Sequence, residues 1–159
     1  MLEPLKKWYC DTCGEIIDKP EDGYVQFKRC KENGLVYEDF VIVHHKTKSP
    51  LKNKRRDACY IYDSDSDLKS FLGDKGKVNL LSLLDPGPYH MPEFLQMTSN
   101  VRKWNDFFMR LQLPYYEEAR RYWNRASSDG YFGDSNEVYI YMPENLKRMI
   151  EYYKNEDEI

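Results

Sequence analysis

The stretch Trp8-Tyr9-Cys10-Asp11-Thr12-Cys13-Gly14 constrains this chain more than any other. Two cysteines three apart on a tight turn aim both thiolates at one point, and a tetrahedral ion with metal–sulfur bonds of about 2.3 Å accepts both. The glycine after the second cysteine admits a positive φ, which lets backbone amides turn toward the sulfurs. A redox C-x-x-C pair follows a strand and opens a helix in a βαβ unit. Here Gly14-Glu15-Ile16-Ile17-Asp18-Lys19-Pro20 is too short, and too soon ended by proline, to be that helix. A metal site is therefore the expected reading, ahead of a redox pair or ordinary buried thiols.

The motif resembles the knuckle of zinc-ribbon and rubredoxin-type proteins, over roughly the first sixty residues. That resemblance implies a small β module closed around zinc. A ribbon carries a second C-x-x-C, and this chain does not, so the remaining ligands come from Cys30, Cys59, His44 and His45. If strands 24–30 and 36–45 pair around Asn33-Gly34, the histidines end near the knuckle and Cys59 opens the next strand. Cys30 then lies at the far end and reads as a small apolar residue. The expected set is Cys10, Cys13, Cys59 and one histidine, with His45 preferred to His44. Successive strand residues face opposite ways, so the two histidines cannot both serve one ion. Three thiolates and an imidazole favour zinc over iron, and a filled tetrahedron is structural, with no position left for a substrate.

The rest of the chain predicts an α+β fold: a β module over 1–62, then a mainly helical part over 63–159, packed as one body. Tyr24-Val25-Gln26-Phe27-Lys28 alternates with period 2, and Val36 to His45 is the return strand. Ala58 to Tyr62 predicts a third strand. Helices are expected over 68–72 (ended by Gly73), 78–84, 101–111 (capped by Ser99 or Asn100), 115–126 and from Pro143 onward. Between them, residues 85–93 hold three prolines and form a stiff connection. Val138-Tyr139-Ile140-Tyr141-Met142 alternates and predicts one late strand, able to join the sheet or to pair with a second copy as a homodimer. Glu117 and Arg121 are expected to pair at i, i+4 on an outer face.

Charge narrows the function classes. The chain carries −3 overall, so it is not a basic nucleic-acid binder as a whole, but residues 1–60 carry +2 and residues 61–159 carry −5. Six cations and no acid fall within 46–56. Lys52, Lys54, Arg55 and Arg56 are the candidate phosphate contacts, weighed against a merely solvated loop. Asp63-Ser64-Asp65-Ser66-Asp67 starts like a calcium loop but lacks the glycine and the glutamate that an EF-hand needs, and reads as helix-capping acids. No phosphate-cradling glycine motif and no zinc-protease or hydrolase signature is present; His90 is the one loop histidine that suits a general base. With no apolar leader after Met1-Leu2-Glu3-Pro4, a reducing cytoplasm is the expected setting. The leading expectation is a non-catalytic, zinc-stabilised binding or regulatory protein that presents a tyrosine-rich face to a protein partner. Nucleic-acid binding through 46–56 stands second. An enzyme built around His90 or an open zinc stands third.

Overall fold

Period-2 alternation becomes an antiparallel hairpin. Strand β3 (Gly23–Cys30) pairs with β4 (Leu35–His44) in a register running from Gly23↔His44 to Cys30↔Val36. This is a computed structural model, and it describes residues 1–30, 35–85, 87, 96–135 and 137–157. The expected turn at Asn33-Gly34, and His90 with most of the proline-rich connection, lie outside the described residues. Before the hairpin, β1 (Trp8–Tyr9) and β2 (Ile16–Ile17) form a two-stranded ribbon with Trp8 opposite Ile17. The knuckle is the turn between them. In the main sheet, β5 (Ser64–Asp67) adds to β3, and β6 (Gln96–Met97) adds in parallel to β4, giving the order β5-β3-β4-β6. Between Gln26 and Lys28 the register shifts, so that Asp39 and Phe40 of β4 stand against Phe27 alone; Asp39 takes a φ of 54° there.

The third strand falls elsewhere than the sequence predicts. Residues 58–62 are irregular, with Ala58 at φ 50°. Buried Gln26 takes the place of a strand neighbour: its Oε1 accepts from the Ile61 and Tyr62 amides at 2.7 and 3.2 Å. The strand forms instead at Ser64–Asp67, where outward aspartates suit an exposed sheet edge. Asp67 accordingly makes no side-chain cap to the 3₁₀ turn Leu68–Phe71.

Six α-helices are found among the described residues: α1 (Gly73–Ser82), α2 (Val101–Gln112), α3 (Tyr116–Ala119), α4 (Trp123–Ser128), α5 (Glu137–Ile140) and α6 (Pro143–Asp157). Gly73 opens α1 rather than ending the turn before it. Gly76 is required where it stands, because a Cβ there would come within 2.0 Å of the Phe71 carbonyl carbon. Asn100, not Ser99, caps α2, its side chain accepting from the Lys103 amide at 3.1 Å. The late strand is not formed: Glu137–Ile140 is a turn of helix. Tyr141 then stacks on Trp123 with ring centroids 5.5 Å apart, so this segment is held by aromatic packing instead of by a sheet edge.

Two cores result. In the first, Trp8, Ile17, Val25 and Ile42 pack with Leu68, Leu80, Trp104 and Phe107, so the sheet and α1–α2 bury one another across residue 62. In the second, Ala119, Ala126, Leu146, Ile150 and Tyr153 meet among α3, α4 and α6. Each buried Val, Ile, Leu or Phe among them contributes about 1.5–3 kcal/mol by leaving water. Among the described residues no helix is long and apolar enough to cross a membrane.

Candidate metal centre

The β1–β2 ribbon builds the knuckle from backbone bonds. The Cys10 amide donates to Glu15 O at 2.9 Å, and the Gly14 amide to Cys10 O at 2.9 Å. Gly14 takes a φ of +77°, the left-handed turn that its position after Cys13 predicts. Asp11 fastens the knuckle to β4: its amide donates to Ile42 O at 2.8 Å, and its Oδ2 accepts from the Ile42 amide at 2.7 Å. Cys59 arrives from the irregular segment after the basic loop. Thr12 Oγ1 donates to Cys59 O at 2.6 Å, and Ser49 Oγ lies 2.9 Å from Cys59 Sγ.

Cys10, Cys13, Cys59 and His44 come together, with all four ligand atoms within 4.8 Å of one another. His44 Nδ1 lies 3.4 Å from Cys13 Sγ and 3.9 Å from Cys59 Sγ. A tetrahedral zinc with Zn–S of about 2.3 Å and Zn–N of about 2.0 Å spaces sulfur and nitrogen by about 3.5 Å, between those two values. On its other side His44 Nε2 lies 3.1 Å from Ile16 O. A carbonyl only accepts, so Nε2 carries the proton and Nδ1 turns a lone pair toward the sulfurs, the second bond that orients a metal-ligating imidazole. Cys10, Cys59 and His44 are each no more than 5 % exposed. The donor set fits a buried tetrahedral ion.

His45 is not in the cluster. It lies past the end of β4, opening the 3₁₀ turn Lys46–Lys48, and its Nδ1 sits 2.8 Å from Thr47 Oγ1. The choice between the two histidines therefore falls on His44. Ile42 and His44 share the face of β4 that meets the knuckle, and that i, i+2 relation was the available signal. It was weak because Val43, on the opposite face, is equally buried. Cys30 stands apart at the far end of β3, as its place in the hairpin predicts.

Burial and mutual contact shift all four groups from their ordinary values. Burial pushes the Cys10 thiol up, but the His44 ring and the Cys13, His44 and Thr12 amides outweigh it and hold the thiol down at about 6. Burial and the nearness of Cys10 push Cys13 up to about 12. Burial likewise raises Cys59. His44 is raised by its contact with Cys10, against burial. A cation at the centre of the four groups would favour the ionised form of all three thiols, the form in which cysteine binds a metal.

Behind the knuckle lies a second buried group of charges. Arg110 of α2 is 3 % exposed and bonds Glu117 through Nε at 2.7 Å and Asp11 through Nη1 at 2.8 Å. Arg120 adds bonds to Glu117 and Asp11, each at 3.2 Å. Glu117 also accepts from the Tyr9 amide at 3.0 Å, and Trp8 Nε1 donates to Arg110 O at 3.1 Å. Glu117 is therefore buried in the seam between knuckle and helices and does not pair outward with Arg121. Arg121 instead lies over the Tyr9 ring, 4.1 Å from its centroid.

The candidate phosphate contacts Lys52, Lys54, Arg55 and Arg56 are all exposed. Among the described residues none of the four forms an ion pair. Lys46 and Lys48, at the start of the loop, reach Asp57 and Asp22 at 3.9 and 3.8 Å. Comparison with known proteins finds no matching family model, no similar curated protein and no similar solved structure.

Proposed function

We propose that this protein is a non-catalytic binding protein whose β module is held in shape by one structural zinc ion on Cys10, Cys13, His44 and Cys59. The observation that carries this reading is the closed donor set: three sulfurs and one oriented imidazole nitrogen within 4.8 Å of one another. Four protein ligands satisfy a tetrahedral zinc and leave no place for an activated water, so the ion serves the fold and not a reaction. Binding is then the work of the surfaces that the fold presents. On the helical half, Val138, Tyr139, Met142 and Tyr152 are 41–73 % exposed, an apolar and aromatic group suited to a protein partner.

Elemental analysis of the purified chain tests the metal assignment. One zinc per chain is expected in the parent protein and in His45→Ala, and less than a tenth of that in His44→Ala. Retention of zinc by His44→Ala together with its loss from His45→Ala overturns the assignment.

A further inference from the structure

Loop 46–56 carries the densest positive charge in the chain, and it is stapled to the candidate metal centre at both ends. At its start, Ser49 is 1 % exposed and holds Cys59 Sγ and the Leu51 amide with its one hydroxyl. At its end, Ala58 and Cys59 are fully buried. Between these points the backbone closes on itself: the Lys52 amide donates to Ser49 O, the Lys54 and Arg55 amides to Leu51 O, and the Ala58 amide to Arg55 O. This order matters for binding, since a backbone already fixed has less freedom to lose when its exposed side chains meet a ligand.

A second feature adjoins the loop. Tyr24 meets His45 edge-on with centroids 4.8 Å apart and Tyr60 at 6.0 Å, and all three rings are half-buried. Tyr60 OH accepts from the Lys46 amide at 3.2 Å, which joins this ring cluster to the loop. Strand β5 borders the rings on the other side, with Asp67 opposite Tyr24.

We propose that loop 46–56 and the Tyr24–His45–Tyr60 rings together form a binding surface for single-stranded nucleic acid. Lys52, Lys54, Arg55 and Arg56 meet the phosphates, and the rings receive unpaired bases. Cations alone would suit any polyanion. Partly exposed rings joined to the start of the same loop select a ligand that alternates charge with flat π faces, and a duplex keeps those faces stacked away. This proposal rests on the structural-metal reading, because the metal ligand Cys59 anchors one end of the loop.

The test is a fluorescence-anisotropy titration of the zinc-loaded full chain, with zinc content measured on the same sample. The probes are a twenty-nucleotide oligothymidylate, the corresponding oligouridylate, an abasic deoxyribose-phosphate strand of equal length and phosphatidylserine vesicles. Both base-bearing strands are expected to bind, with log K falling against log salt at a slope of about −3, from about 0.7 per phosphate over four contacts. Any preference between the two distinguishes RNA from DNA. The abasic strand is expected to bind at least ~10-fold more weakly, because each stacked base contributes a factor of about 5–150. The combined Lys52→Gln, Lys54→Gln, Arg55→Gln, Arg56→Gln variant is expected to lose the salt dependence and ~100-fold or more in affinity at low salt, with zinc content and melting temperature unchanged. The proposal is overturned by zinc-loaded protein that binds neither strand, by equal affinity for the abasic strand or for vesicles, or by a glutamine variant that binds as the parent does. A sample that folds without zinc contradicts the metal reading instead, and the same titration still decides the loop.

Discussion

Replacing Cys10 by Ser is expected to abolish the cooperative unfolding of the first core, not merely to lower its midpoint. Cys10 is 2 % exposed and shares a core with Trp8, Ile17 and Ile42, so its sulfur is at once a candidate metal donor and a core atom. Structural zinc contributes about 10–16 kcal/mol in small zinc-finger folds, as much as the whole stability of an ordinary domain, about 5–15 kcal/mol. Without the ion, the knuckle, the end of β4 and the segment around Cys59 lose the centre that joins all three, and their core contacts and side-chain bonds would have to hold a buried group of three thiols and an imidazole together. Strong chelation of the parent protein has the same expected outcome. Trp8 is fully buried and Trp104 is 7 % exposed, so a red shift of tryptophan emission, with loss of the calorimetric transition, reports the opening directly. Cys30→Ser is the control, expected to cost less than about 1 kcal/mol because Cys30 lies outside the cluster. A Cys10→Ser protein that keeps its transition within a few degrees contradicts a structural role for the metal.

The second large effect is expected at Arg110. Its guanidinium is enclosed, and the carboxylates of Glu117 and Asp11 keep its charge favoured against burial. Removing one partner of a buried ion pair costs about 3–5 kcal/mol, mostly because the other charge is left behind. Arg110→Met leaves Glu117 unpaired except for Arg120 and the Tyr9 amide. A loss of about 3–5 kcal/mol in urea unfolding is therefore expected. Adding Glu117→Gln is expected to recover part of it, since glutamine still accepts from the Tyr9 amide and carries no charge. Asp11 sits between Cys10 and Cys13, so the same substitution should also weaken zinc binding by loosening the knuckle from α2. A loss below about 1 kcal/mol, with zinc affinity unchanged, contradicts a coupling between the two halves through this seam.

Much of this was legible in the residues. The C-x-x-C-Gly spacing, the alternation around Val25 and the apolar stripes of α2 and α6 are local signals, and each becomes the element it predicts. Three features that depend on distant partners were not legible. His44 rather than His45 joins the cluster because strand parity is set where β4 meets the knuckle, and Val43 hides that parity by being buried too. Residues 138–142 alternate as a strand does, yet α5 forms over Glu137–Ile140, with Tyr141 stacked on Trp123 and β6 already pairing with β4. Glu117 looks like a surface residue on its helix, and only the approach of Arg110 and Tyr9 from other elements buries it. Gln26 is the converse case: a polar residue inside an apolar strand was the one available hint that the Ile61 and Tyr62 amides have no strand to pair with.

X-ray absorption at the zinc edge of the purified protein tests the central claim most directly. Three sulfurs at about 2.3 Å and one nitrogen at about 2.0 Å are expected, with no water oxygen in the shell. A shell with an oxygen from water, or with fewer than three sulfurs, contradicts the closed Cys₃His centre and returns catalysis at the metal to consideration.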